Sequence, residues 1–291
     1  MNRKIILGFS PCPNDTFMFC ALVNGMIDCE GLEFEPVMED VETLNRKALN
    51  TELDVTKLSF GVYARVAKNY LILNSGSALG KNCGPLLISK KDYSLFSPLS
   101  PGEGPGVRSD IDKLKIAIPG KFTTANLLLS IFFPHAKNKT EMIFSEIENA
   151  VLNERVDAGL IIHENRFTYQ QKGLKKIADM GELWEEKINA PLPLGCIAVK
   201  RNADTGLQRK MDSLINKSIR FAFDHPEKVM DYVKKYSQEM DRHVMQQHID
   251  LYVNEFSLAL NSAGKKAIEL LLKKGNETGL LPQIPNSVFV S

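Results

Sequence analysis

No excess of either charge marks this chain. Its 36 Lys and Arg nearly balance 35 Asp and Glu over 291 residues, a formal net charge of +1. Such a balance gives no argument for a nucleic-acid partner or an anionic membrane surface. Cysteine is sparse and scattered. Cys12, Cys20, Cys29, Cys83 and Cys196 are odd in number and form no CxxC pair. That argues against a disulfide framework or a zinc site, and for a reducing compartment. Long apolar runs are missing too. The opening Met1–Ser10 has a charged start and only a very short apolar run, which Pro11 and Pro13 then interrupt. This is too short for the core of a signal peptide, and no later run approaches the ~20 residues needed to span a bilayer. The expected location is the cytoplasm, without membrane contact. There is no internal repeat. The glycine-rich dinucleotide fingerprint, the P-loop, the nucleophile elbow and the HExxH zinc motif are all absent.

What the chain does have is alternation. Lys4–Phe9 reads as a strand, followed by the turn-rich loop Ser10–Asp15 and a helix to about Asn24, with Asp15 or Thr16 as its cap. Leu32–Pro36 and Asp54–Leu58 read as strands. Val41–Asn50 and Phe60–Ala67 read as helices, with Ser59 near the start of the second. Asp92–Asp110 carries Pro98, Pro101, Gly102, Gly104, Pro105 and Gly106 without any period, the composition of a surface loop or insertion. Leu114–Ile118 is a strand closed by Pro119-Gly120, then Thr123-Thr124 open an apolar helix over Ala125–Phe133. Thr140–Asn153 fits an amphipathic helix, Ala158–Ile162 a buried strand, and Cys196–Val199 another strand. From Asp204 onward the pattern is helical throughout. This βα alternation predicts an α/β protein. Two lobes joined by two crossings account for it. Residues 1–88 with 200–291 form the larger lobe, carrying the C-terminal helices; residues 89–199 form the smaller one, with a cleft between them.

Ligands of open α/β sheets bind beyond the carboxyl ends of the strands. The apolar run Ala158–Ile162 ends there in His163, with Glu164, Asn165 and Arg166 directly after it. An imidazole titrates near neutral pH, so His163 is a candidate general base; the alternative is a histidine satisfied by a backbone carbonyl. No second ligand stands at a metal-binding spacing, so no metal is expected. His135 and His225 adjoin prolines and read as helix-boundary residues, while His243 and His248 read as half-exposed on a helix. Thr123 and Thr124 offer hydroxyls and first-turn N–H groups, suited to an anionic ligand or simply to capping. Ser59, with Lys57 two residues earlier, repeats that arrangement. Ser10 and Asn14 follow the first strand and suit either a pocket wall or a rigid turn. Cys12 shows nothing that would lower its pKa.

Several of these stretches are similar to one family. Gly8–Phe17, Glu39–Asn45, Thr56–Ser59, Thr123–Ala125 and Gly159–Glu164 resemble the 1,4-dihydroxy-6-naphthoate synthases of the futalosine route to menaquinone, and the similarity extends to Tyr252–Ser257. The resemblance implies a two-lobed type II periplasmic-binding-protein-like fold in a cytosolic carbon–carbon lyase. It implies conversion of cyclic dehypoxanthine futalosine, a small carboxylated substrate, to 1,4-dihydroxy-6-naphthoate, with no metal or organic cofactor. The family's base falls on His163, and its substrate-binding segments fall on Lys57, Leu58 and Ser59 and on Thr124 and Ala125. The Asp92–Asp110 segment is longer than the family pattern. Two other readings remain open: a carboxylate-binding protein without chemistry, and chorismate dehydratase. The oligomeric state is not legible.

Overall fold

Apolar alternation and short βα connections organise the first hundred residues. The computed structural model describes residues 3–93, 111–237 and 241–291. Strand β1 (Arg3–Phe9) leads into helix α1 (Pro13–Val23), then β2 (Leu32–Met38), α2 (Val41–Leu49), β3 (Val55–Ser59), α3 (Phe60–Val66) and the short strands β4 (Tyr70–Ile72) and β5 (Ala78–Gly80). Next come β6 (Leu86–Ser89), β7 (Ile116–Ile118), α4 (Thr124–Phe132), β8 (Lys139–Glu141), α5 (Ile147–Leu152), β9 (Ala158–Ile161), α6 (Asn165–Thr168), β10 (Lys175–Asp179) and α7 (Met180–Ile188). Strand β11 (Leu192–Lys200) precedes the helices α8 (Thr205–Asp224), α9 (Pro226–Tyr236), α10 (Arg242–Tyr252), α11 (Glu255–Leu258) and α12 (Ser262–Glu277).

The chain divides into two compact units, 1–80 with 193–291, and 81–192. In the first, the strands run in the order β2-β1-β3-β11-β4, with β5 also paired to β11. Strand β1 is parallel to both β2 and β3, and β11 runs antiparallel to β3. Ile5, Leu7 and Phe9 of β1 pack with Phe17 and Phe19 of α1 and with Met211, Leu214 and Ile215 of α8. Phe9 stacks on Phe19 at 4.8 Å between ring centroids. Each such buried side chain contributes roughly 1.5–3 kcal/mol. Ser218, on the same apolar face of α8, is fully buried and links two helices. Its hydroxyl donates to Met18 O at 2.6 Å and accepts from Leu22 N at 3.1 Å. The C-terminal helices thus join the first unit: α8, α9 and α10 pack on α1, and α12 packs on α3.

The second unit has the order β10-β6-β9-β7-β8, with β7 parallel to both β8 and β9. Its division from the first lies elsewhere than the sequence suggests. Strand β6 pairs with β9 and β10, so the chain has crossed before Leu86. Strand β11 pairs with β3 and β4 of the first sheet, so it has crossed back before Lys200. The expected helix over Thr140–Asn153 is broken. Lys139–Glu141 pairs with β7 as an edge strand, a 3-10 turn covers Phe144–Glu146, and only Ile147–Leu152 is α-helical. Of the Pro/Gly-rich Asp92–Asp110 segment, residues 94–110 lie outside the described residues; Asp92 accepts from Lys175 Nζ at 3.0 Å. Among the described residues, no helix is long and apolar enough to cross a membrane.

Candidate functional site

In each unit, the polar groups of interest lie beyond the carboxyl ends of adjacent parallel strands, the usual ligand position in such sheets. In the first unit these strands are β1 and β3. Pro13 starts α1 at a position where its missing N–H is no loss, and Cys12 is the N-cap residue without a side-chain cap bond. Asp15 is therefore not a cap. Its carboxylate is 1% exposed and accepts four hydrogen bonds. Oδ2 takes Ser10 N at 3.1 Å and Ser10 Oγ at 2.7 Å. Oδ1 takes Asn14 Nδ2 at 2.8 Å and Lys57 Nζ at 2.7 Å. Lys57, expected to be a ligand cation or a solvated lysine, is buried and ion-paired within β3. The structure thus brings Ser10, Asn14 and Lys57 together around one carboxylate.

Ser59 ends β3 and is the N-cap residue of α3, yet its hydroxyl does not cap that helix. It accepts from Asn45 Nδ2 at 3.2 Å, while Ser59 N donates to Asn45 Oδ1 at 3.0 Å. Asn45 reaches it from the buried face of α2. Leu58 is fully enclosed, so only its main chain can meet a ligand.

In the second unit the adjacent parallel strands are β7 and β9. After β7 the chain turns through Gly120 to Thr123, whose hydroxyl donates to Gly120 O at 2.8 Å and accepts from Asn126 N at 3.2 Å. The Thr123 hydroxyl is thus engaged as the N-cap of α4. Thr124 and Ala125 occupy the first turn of that helix, where backbone N–H groups lie outside the helical ladder and favour an anion. Both are buried.

His163 follows β9 and takes a left-handed backbone conformation, φ 64°. An L-residue in this region costs roughly 1–2 kcal/mol. Its ring meets Phe144 edge to face, with centroids 4.7 Å apart, and remains partly exposed. Arg166 pairs with Asp179 at 2.7 Å. Of the other histidines, His135 and His243 are exposed and His225 sits at the junction of α8 and α9. His248 corrects the expectation of half-exposure: it is 1% exposed and packed on Tyr252 at 4.6 Å. Packing of α10 against α1 turns that residue inward.

The family model described as menaquinone biosynthesis matches residues 5–277. The chain belongs to that family. Over 284 residues it is 42% identical to the 1,4-dihydroxy-6-naphthoate synthase of Thermus thermophilus, covering 98% of both chains. Over 283 residues it is 38% identical to the protein of the same name from Streptomyces coelicolor, covering 96% of this chain and 95% of that one. A solved structure from Archaeoglobus fulgidus superposes with a TM-score of 0.87 at 36% identity, covering 96% and 98% of the two chains. The aliphatic sulphonate binding protein of Escherichia coli superposes with a TM-score of 0.64 at 10% identity, covering 100% of this chain and 94% of that one. This menaquinone-biosynthesis chain therefore has the type II periplasmic-binding-protein-like fold.

Three of this family member's thiols are set aside as nucleophiles. Burial pushes Cys20 up to about 11, and Cys83 and Cys196 each up to about 12, so all three are protonated at neutral pH. Sequence reasoning missed the ion pair of Asp15 with Lys57 and the bonding of Asn45 to Ser59. For Asp15 the signal was a carboxylate just past one strand tip with a lysine on a neighbouring strand. For Asn45 it was a lone amide on the apolar stripe of α2, beside Leu44 and Ala48.

Proposed function

We propose that this protein is a carbon–carbon lyase that converts cyclic dehypoxanthine futalosine to 1,4-dihydroxy-6-naphthoate, acting in the cytoplasm with His163 as general base. The observation that carries this reading is an imidazole at the carboxyl end of β9, held in a left-handed turn against Phe144, in a chain of the menaquinone-biosynthesis family. The substrate's cyclised skeleton must lose protons and break a carbon–carbon bond to become aromatic. One base positioned at the acidic carbon removes the first proton and can return it to the departing sugar-derived fragment. Aromatisation supplies driving force, so the protein's task is chiefly to hold the substrate in a reactive orientation.

Substrate contacts are assigned to Thr123, Thr124 and Ala125 in the second unit. The α4 N-terminus there suits a carboxylate. In the first unit they are assigned to Ser10, Asn14, Lys57, Ser59 and the main chain of Leu58. The test is incubation of the purified protein with cyclic dehypoxanthine futalosine, followed for naphthoate by absorbance and mass. Product formation that disappears in His163→Ala, with substrate binding largely retained, is the expected result. Near-normal turnover in His163→Ala removes the assigned base. Binding without product in the wild type makes the chain a carboxylate-binding protein. Turnover of chorismate instead identifies a dehydratase.

A further inference from the structure

The segment that carries His163 is too short to orient itself. Helix α6 spans four residues, Asn165–Thr168, and passes directly into a 3-10 turn over Tyr169–Lys172. So short a helix has no independent stability, and the left-handed conformation at His163 works against its own retention. Something outside the segment must hold it.

Two buried carboxylates do so from neighbouring elements. Glu148 of α5 is 3% exposed, and its Oε2 accepts from both Asn165 Nδ2 and Lys172 Nζ, so one oxygen ties the start of α6 to the end of the 3-10 turn. On another side, Arg166 donates to Asp179 Oδ2 at 2.7 Å and to Gly84 O. Asp179 is anchored in turn, because its Oδ1 caps α7 through Gly181 N at 2.7 Å. Gly84, whose carbonyl Arg166 meets, lies against the start of α7: a Cβ on Gly84 would stand 2.0 Å from Gly181 N, so the two backbones are in direct contact. Asp179 therefore serves helix capping as well as the His163 segment. Glu148's side-chain hydrogen bonds go to the His163 segment, to Asn165 and Lys172.

We infer that Glu148 is a positioning residue for His163. It acts through Asn165 and Lys172 to hold the imidazole where the reaction needs it, and this rests on the assignment of His163 as base. Displacing a reacting group by about 1 Å costs on the order of 100-fold in rate. Loss of the tie is thus expected to appear in kcat while KM changes little.

The test measures steady-state turnover of cyclic dehypoxanthine futalosine by wild type, Glu148→Ala, Glu148→Gln and Asn165→Ala, with the folded fraction of each checked by thermal unfolding. Glu148→Ala is expected to lower kcat about 10- to 100-fold with KM within about 3-fold. Glu148→Gln, which keeps an oxygen for Asn165, is expected to recover most of that loss. Asn165→Ala removes the same bond from the other side and is expected to lower kcat in the same way, so the inference stays testable if Glu148→Ala does not fold. A wild-type protein that makes no naphthoate overturns the assigned function itself. A wild type that turns over, beside folded Glu148→Ala and Asn165→Ala variants with unchanged kcat, overturns this inference alone.

Discussion

Lys57 Nζ lies 2.7 Å from Asp15 Oδ1, and neither side chain is more than 8% exposed. The pair joins the first turn of α1 to the middle of β3, and Ser10 and Asn14 complete the ring of donors around the carboxylate. Removing either partner strands the other's charge in the interior, at a cost of about 3–5 kcal/mol. Lys57→Met and Asp15→Asn are each expected to lose stability on that scale in urea unfolding. The double variant Asp15→Asn/Lys57→Met should lose clearly less than the sum, because it leaves no uncompensated charge. Additive losses would show that the two groups are not energetically coupled.

The backbone of His163 offers a separate test. At φ 64° a Cβ is unfavourable and glycine has no such penalty. His163→Gly is therefore expected to be more stable than His163→Ala by about 1 kcal/mol, after part of the gain is offset by glycine's freedom in the unfolded chain. Neither variant should turn over substrate. Equal unfolding midpoints for the two would mean that the segment leaves its left-handed conformation once the imidazole is gone.

Lys139 gives a pH dependence with a definite sign. Its ammonium is held by Asn126 Oδ1 at 2.9 Å and Ser130 Oγ at 2.7 Å, both neutral partners. Burial pushes its pKa down to about 8, and the Lys137 charge adds to the effect. In the unfolded chain a lysine titrates near ~10.4. Between about pH 8 and pH 10 the unfolded state therefore binds more protons, and this site's contribution to stability rises with pH across that window. Below pH 8 the folded state bears the cost of a desolvated ammonium. Lys139→Met should thus gain most over wild type near pH 7, and the difference in melting temperature should shrink toward pH 10. A difference that stays constant with pH would contradict the desolvation.

Much of the framework is readable from contiguous residues. The apolar run before His163 announces a buried strand, and the structure shows one at Ala158–Ile161. The hydroxyl after Pro119-Gly120 announces a helix start, and Thr123 caps α4. Misreadings arise where a distant partner overrides the local pattern. Thr140 and Glu141 belong to an apparent helical period but are captured in an edge strand, Lys139–Glu141, by β7. His248 lies on a helix with polar neighbours, yet faces inward because α10 packs on α1.

The sequence by itself determined the α/β alternation, the helix start at Thr123 and the emergence of His163 from a strand tip. Periodicity and capping are properties of residues a few positions apart, so they can be read without the fold. Only the tertiary structure decided which polar groups meet. Asp15 and Lys57 stand 42 residues apart, and Glu148 and Asn165 stand 17 apart. Strand order and helix packing bring each pair to one place. Burial then makes those contacts matter, because a charge taken from water must find its partner inside the protein.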